Sequence, residues 1–417
     1  MSAWLLAALI AGQSPSQAAG QKRVDVSGQV SVLADALPRR DVAELRPQAA
    51  VELTARPSRT VRLKFDGFVE GLAADRSGQV LGAIAGVREA WLEVAGTKGD
   101  FRAGYGRIVW GRLDEIQPSD VINPLDTSRY LFDGRSAARL PVAFLRGRVF
   151  ASHDFAIEGV AVPGFSRGKF DELKEDTSPF NLVNDAVLPA AVPGGKTIVR
   201  DEPGLLLRNM SGGGRVSGTI GRVDIAGGVF RGFDAFGVTT FEPIFGPAVA
   251  GHLVQRFPRF TMVSADFETV VGEWALRGEA AFFVEKELPR SNGIGSVEGK
   301  ALDAGAGFDR RTGQYRVFAL AILHREWSPQ DPGIDRTDVD FVGSIERQFG
   351  RDRWLARAFA VVNPADASGF VRGLIVWRAA DNVAIEGSAA AFLGDGNDSL
   401  ARFKTRDFLL TRVRWRF

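Results

Sequence analysis

The chain has 417 residues, 52 basic against 50 acidic side chains and a net charge of +2, with no cysteine and only three histidines. So even a balance removes the electrostatic case for nucleic acid as a partner, because phosphate binding rests on a basic excess. The lack of thiols excludes a disulfide framework and thiolate-zinc sites, and it suits an oxidising compartment.

At the start of the chain, Trp4 to Ala11 is a short apolar run followed by Gly12, Gln13, Ser14 and Pro15. Small residues at Ser16 and Ala18 stand where a signal peptidase cuts, which predicts a signal peptide over residues 1–19. No Lys or Arg precedes the run, so the amino group is its only positive charge. No later stretch approaches about 18 uninterrupted apolar residues, and a membrane-crossing helix is not expected.

From Arg23 onward the apolar period is two almost everywhere, the period of a strand with unlike faces. Val24, Val26, Val30 and Val32 alternate with Asp25, Ser27, Gln29 and Ser31; Val61, Leu63 and Phe65 alternate with Arg62, Lys64 and Asp66. The pattern recurs in eighteen segments, at about 23–34, 46–56, 60–70, 87–96, 101–110, 141–150, 154–162, 213–221, 222–231, 258–269, 273–284, 300–310, 314–325, 337–349, 353–363, 368–378, 382–393 and 405–417. Each is near the length a tilted strand needs to cross a bilayer. Every second connection is short, near Pro57, Lys98, Ser152, Gly221, Val271, Thr312, Arg351 and Ala380, and those between are mostly long.

That alternation points to an all-β fold: a transmembrane antiparallel up-and-down β-barrel of about eighteen strands, sixteen also being admitted, in one domain over residues 20–417. Short turns would face the periplasm and long loops the exterior. A soluble propeller or sandwich is the competing architecture, but no repeat of about 40 residues is present.

Two loops stand apart. The stretch 163–212 has no sustained period, is rich in Pro, Gly, Asp and Glu, and could hold a helical turn or two at Phe170–Glu175; a loop this long is a candidate plug or lid. The third loop, 111–140, follows Gly106-Arg107-Ile108-Val109-Trp110 and carries Gly111-Arg112, then Pro118-Ser119-Asp120 and Asn123-Pro124. Side chains alone do not fill a barrel of eighteen strands, so this loop is expected to fold inward as a constriction, with Asp114, Glu115, Asp120 and Asp126 as its acids. Facing it would stand a cationic lumen wall of Arg62, Lys64, Arg357, Arg372, Arg378, Arg412, Arg414 and Arg416. The plainer alternative is that these charges pair with lumen acids such as Asp25, Glu52, Glu93, Asp266, Glu268, Glu279 and Glu386, and both readings stay open.

In the last strand Leu409, Thr411, Val413, Trp415 and Phe417 share one face, and Arg412, Arg414 and Arg416 the other. With the Trp-Gly, Pro-x-Asp and Asn-Pro segment, this resembles porin-like outer-membrane barrels, a loose set that includes the alginate-export type. The resemblance implies the outer membrane of a Gram-negative cell, with Val413, Trp415 and Phe417 as the membrane-insertion signal. It also implies outer-membrane lipid, lipopolysaccharide and the barrel-assembly machinery as partners, with a homotrimer or a periplasmic partner as further options. No functional residue of such a family is carried over. The expected role is a channel for small hydrophilic, charged or sugar-like solutes; the alternatives are an export conduit for polysaccharide or lipid, and a barrel enzyme.

Chemistry beyond transport finds little footing. His153, His252 and His324 lack a second His at metal-ligand spacing, so neither a metal site nor a cofactor is expected, and no catalytic residue is assigned. Gly212-Gly213-Gly214 and Asp395-Gly396-Asn397-Asp398 read as turns, although the latter has oxygen ligands of the kind calcium takes.

Overall fold

The computed structural model describes residues 24–182, 198–244, 250–292, 295–396 and 398–417, and the expected signal peptide lies outside them. The wall begins with β1 (Val24–Leu37), β2 (Val42–Ala55), β3 (Val61–Arg76), β4 (Gln79–Gly96), β5 (Gly99–Gly106), β6 (Val142–Phe150) and β7 (Phe155–Val162). A short strand, β8 (Ile198–Asp201), belongs to the fourth loop; the wall resumes with β9 (Ser211–Ile220) and β10 (Val223–Phe233). Next, β11 (Val238–Ile244) and β12 (Ala250–Arg256) pair with each other, and β12 pairs in parallel with β8, as a small sheet separate from the wall. The remaining wall strands are β13 (Arg259–Val271), β14 (Trp274–Pro289), β15 (Ser296–Thr312), β16 (Tyr315–Trp327), β17 (Asp335–Phe349), β18 (Trp354–Asn363), β19 (Ser368–Ala380), β20 (Val383–Leu393) and β21 (Phe408–Arg416).

Eighteen strands therefore make one sheet, each antiparallel to its neighbour, and β21 returns to β1 with Gln29 opposite Arg416 and Ala36 opposite Leu409. The barrel is closed. Each of the eighteen predicted segments lies on its own wall strand, because two-residue periodicity survives wherever one face meets lipid and the other does not. Val24, Val26, Val30 and Val32 point outward and are exposed on the protein surface, whereas Ser31, Leu33 and Asp35 are buried on the inside. At the turn end, Gly221, Gly272, Gly313 and Gly350 hold φ between +58° and +63°, the left-handed backbone that tight reversals need.

Some boundaries differ from expectation. Strands β3 and β4 run on through the stretch expected as a loop, 71–86, and meet at Ser77-Gly78; β1 and β2 likewise leave only residues 38–41 between them. The first two connections at the loop end are thus short. Ala73, Ala74, Ala83 and Ala85 put small apolar residues on both faces, so the alternation fades although the strand does not. Gly212–Gly214 lie inside β9 rather than in a turn, and a Cβ on Gly213 would collide with the carbonyl oxygen of Val229. Phe170–Glu175 is not helical; a single 3-10 turn follows at Glu175–Thr177.

At the loop end part of the inside is apolar. Loops 3 and 4 enter the lumen and pack on inward apolar side chains of the wall, forming two cores. In one, Leu113, Phe132 and Phe180 meet Leu33, Leu37, Phe318, Phe392 and Phe408; in the other, Ile108, Trp110 and Ile122 meet Phe144, Phe230, Phe260 and Phe283. Burying each such side chain contributes roughly 1.5–3 kcal/mol. Loop 3 is therefore held against both halves of the wall.

The outward face sets a checkable asymmetry. Val263→Arg, on the lipid side near the middle of β13, is expected to destabilise the barrel in lipid vesicles by about 2–4 kcal/mol. Ser344→Arg, which points into the lumen cavity, should cost far less in the same denaturant titration.

Candidate functional site

The site grows from the root of loop 3. The wall ends at Gly106, and Asn123 holds the departing chain: its Oδ1 accepts from the Ile108 N–H (2.8 Å), and its Nδ2 donates to the carbonyls of Gly106 (3.2 Å) and Leu140 (2.8 Å). Trp110, buried, donates from Nε1 to Glu158 on β7 (2.8 Å). The next residue, Gly111, has φ +98°, which turns the following amides toward Glu279 on β14. Glu279 Oε2 accepts from the N–H of Arg112 (2.8 Å) and Leu113 (3.2 Å), and Oε1 from the N–H and the hydroxyl of Ser119 (both 2.7 Å). One buried carboxylate thus clasps loop 3 through four donors. A Cβ on Gly111 would sit 2.5 Å from Oε1, so only glycine fits there. Beside it Arg112 pairs with Asp266 (2.6 Å) and Glu268 (3.3 Å).

Farther along, the loop forms α1 (Thr127–Asp133) and α2 (Arg135–Ala138) inside the barrel. Of the four predicted acids, two reach the opposite wall and two do not. Asp114 pairs with Arg277 (3.1 Å) and Arg316 (3.5 Å), and Glu115 pairs with Arg357 (2.7 Å). Asp120 is buried within the loop, between Arg135 (2.8 Å) and Arg139 (2.7 Å). Asp126, wholly buried, caps α1 by accepting from the Arg129 N–H (2.9 Å) and also accepts from the Glu172 N–H of loop 4 (2.7 Å). A third tether was not foreseen: Asp133, at the end of α1, pairs with Arg412 (2.5 Å).

The predicted cationic wall divides in the same way. Arg357, Arg372, Arg412 and Arg414 line the lumen cavity; Arg372 donates to the Leu131 carbonyl of α1 (3.0 Å), and Arg372, Arg412 and Arg414 converge on Glu386 at 3.5–3.9 Å. Arg62 and Lys64 stand elsewhere, paired with Glu93 (3.8 Å) and with Glu89 (3.0 Å) and Glu52 (3.3 Å). Arg378 and Arg416 sit at the turn end, where Arg378 donates to the Asp352 carbonyl and Arg416 to Gln29 (3.4 Å). Val413, Trp415 and Phe417 share the outward face; the two aromatic rings are 4.9 Å apart, and Phe417 pairs with Gly28 through two backbone hydrogen bonds.

A buried charge cluster joins loop 4 to the wall. Asp171 accepts from Arg46 (2.8 Å) and Arg76 (2.9 Å), and both guanidiniums also hold Glu44, at 2.6 and 2.7 Å. Burial would raise the Asp171 pKa, but the two guanidiniums, Arg46 foremost, hold it down at about 2. Burial and then the nearby Asp171 charge push Asp126 the other way, to about 6. No sequence signal marks this cluster, since Glu44 and Asp171 belong to separate parts of the chain.

Between α1 and the wall lies a cavity of about 1500 Å³, lined from Arg167 and Glu202 at the loop end to Gln29 and Arg414 near the turn end. Its described lining includes thirteen Lys and Arg against ten Asp and Glu. The buried Nε atoms of Arg107, Arg372 and Arg414 have no hydrogen-bond partner. Among the described residues no cluster of three metal-ligating side chains occurs, and Asp398 is occupied by Ser368 Oγ (2.5 Å) and the N–H of Leu400 (3.1 Å).

A closed barrel with an apolar outer face, inward-folded loops and a charged lumen defines the class: an outer-membrane β-barrel of porin-like fold. No protein-family model and no curated protein matches the sequence. Solved structures of similar fold include OccAB1 of Acinetobacter baumannii (8% identity, 94% of this chain and 95% of that one, TM-score 0.53) and OccAB3 of the same organism (8%, 94% and 98%, 0.52). OccK5 (OpdH) of Pseudomonas aeruginosa is also similar, at 10% identity over 94% of this chain and 96% of that one, with a TM-score of 0.50. The likeness is one of fold.

Two outcomes test this description. Glu279→Ala strands four buried donors, at about 1–3 kcal/mol each before relaxation; loop 3 should become open to protease while the wall keeps its heat-resistant mobility on gels. Because the folded Asp126 pKa lies above the usual carboxylate value, its contribution is greatest when protonated and is lost as pH rises through about 6. Hydrogen-exchange protection of α1 should therefore fall between about pH 4 and 7, and Asp126→Asn should remove that fall.

Proposed function

We propose that the chain is an outer-membrane channel for small hydrophilic solutes with a preference for anions. The observation that carries this reading is the lumen cavity, whose described lining holds thirteen Lys and Arg against ten Asp and Glu. A guanidinium lining a confined wet space can present donors to a solute, and a carboxylate or phosphate oxygen is the partner that matches it best. Charges fixed to both sides of the passage add a field that favours one sign of solute. Small carboxylates and phosphorylated compounds are thus preferred over neutral sugars.

Two of the three histidines have described carboxylate partners: His153 is exposed beside Asp154, and His324 lies between Asp303 and Glu326 (3.5 Å). His252 lies on β12.

In planar bilayers the protein should show stepwise conductance, with a reversal potential under a salt gradient that reports anion selectivity. Arg107→Glu with Arg372→Glu should move that potential toward cations. A bilayer that stays silent with the wild type, or a potential indifferent to both changes, contradicts the channel reading.

A further inference from the structure

The outer wall carries one feature that lipid contact alone does not account for. On β17 the side chains of Phe341, Ile345, Arg347 and Phe349 alternate outward, so Arg347 stands on the lipid side. Its guanidinium lies 5.1 Å from the Tyr315 ring centre and 5.9 Å from that of Phe349. Its chain neighbour Glu346 points the other way, into the lumen cavity. No carboxylate among the described residues pairs with Arg347, nor with Arg351 or Arg353 in the adjoining turn. A guanidinium on the outer wall is tolerated at headgroup depth, where the anion at hand is a lipid phosphate.

The surroundings have a definite shape. Phe349, Trp354 and Trp377 stack across three strands with ring centres 6.2 and 5.7 Å apart and planes within 14°. Such amphipathic rings lie at headgroup depth. Toward the middle of the bilayer the same strands turn smooth: Ala358 faces Gly373, Gly373 faces Ala389, and nothing stands within 4 Å of the place a Cβ on Gly373 would occupy. Ile345 borders this strip as a ridge, paired with Ala358.

We propose that this face binds an anionic phospholipid of the leaflet at the turn end. The phosphate sits against Arg347, with Arg351 from the turn above it, and an acyl chain lies along the Ala358–Gly373–Ala389 strip. The cation–π contacts with Tyr315 and Phe349 keep the guanidinium on the wall, so the lipid comes to the arginine. Charge complementarity favours this occupant over a second copy of the chain, which would bring the same unneutralised arginine into any two-fold contact.

Purified protein in detergent, incubated with equal amounts of phosphatidylglycerol and phosphatidylethanolamine and examined by native mass spectrometry, tests the site. The wild type should retain phosphatidylglycerol preferentially, and Arg347→Leu should lower that retention about tenfold, the loss of one charge-assisted contact. Arg347→Gln should behave like Leu and Arg347→Lys should restore part of the binding, with heat-resistant gel mobility confirming that each variant is folded. Inorganic phosphate at matched concentration should not displace the lipid, since the acyl strip contributes to binding. Equal retention of the two lipids, indifference to Arg347→Leu, displacement by free phosphate, or a lipid-free oligomer joined through this face would each overturn the proposal. None of these readouts depends on whether the barrel conducts.

Discussion

Hydrocarbon offers no hydrogen bond to a peptide group, and that single constraint shapes the whole molecule. A sheet with open edges would leave rows of N–H and C=O groups unpaired in lipid, so β1 must meet β21. Closing eighteen strands fixes a circumference, and that circumference encloses more space than wall side chains can fill. The loops answer this. Loop 3 and loop 4 enter and use inward apolar side chains of the wall as a core, so the loop end of the barrel is packed like a soluble domain while the rest of the lumen stays polar.

Charge follows from the same geometry. A confined lumen too polar for an oil-like core favours ion pairs, and arginine, with its planar fork of donors, can serve two carboxylates at once. Arg46 joins Glu44 to Asp171, and Arg112 joins Asp266 to Glu268. Removing one partner from such a buried cluster costs about 3–5 kcal/mol, because the other charge is left without compensation. The cavity differs in balance: its described lining holds thirteen Lys and Arg against ten Asp and Glu, and that cationic surplus favours a passing anion.

Much of the wall was readable in the sequence, since lipid on one face and water on the other impose a strict alternation. The alternation failed where that premise fails. In β16, Val317 to Ile322 is apolar at every position, and Phe318, Leu320 and Ile322 turn out to point inward against loop 3. A strand apolar on both faces is covered on both faces, so this run, like Ala280–Val284 in β14, held a sequence sign that something enters the barrel there. The Trp110-Gly111 step marked the root of loop 3, but Glu279, which clasps the next residue Arg112, lies 167 positions away, and nothing local announces such a pairing. Asp120 and Asp126 looked like Asp114 and Glu115 in sequence; the fold separates them, because Asp126 caps α1 and Asp120 pairs with Arg135 and Arg139 of its own loop, while Asp114 and Glu115 reach the wall.

The three tethers of loop 3 to the far wall, Asp114 to Arg277 and Arg316, Glu115 to Arg357 and Asp133 to Arg412, include partly exposed groups. Interactions of that kind weaken as dissolved ions accumulate, since the screening length shrinks from about 30 Å in dilute medium to about 3 Å in brine. The clasp at Glu279 is buried and far less open to screening. Freshwater and seawater would thus weight the hold on the far wall differently: ion pairs together with apolar packing in the one, mainly the packing of Leu113 and Phe132 in the other.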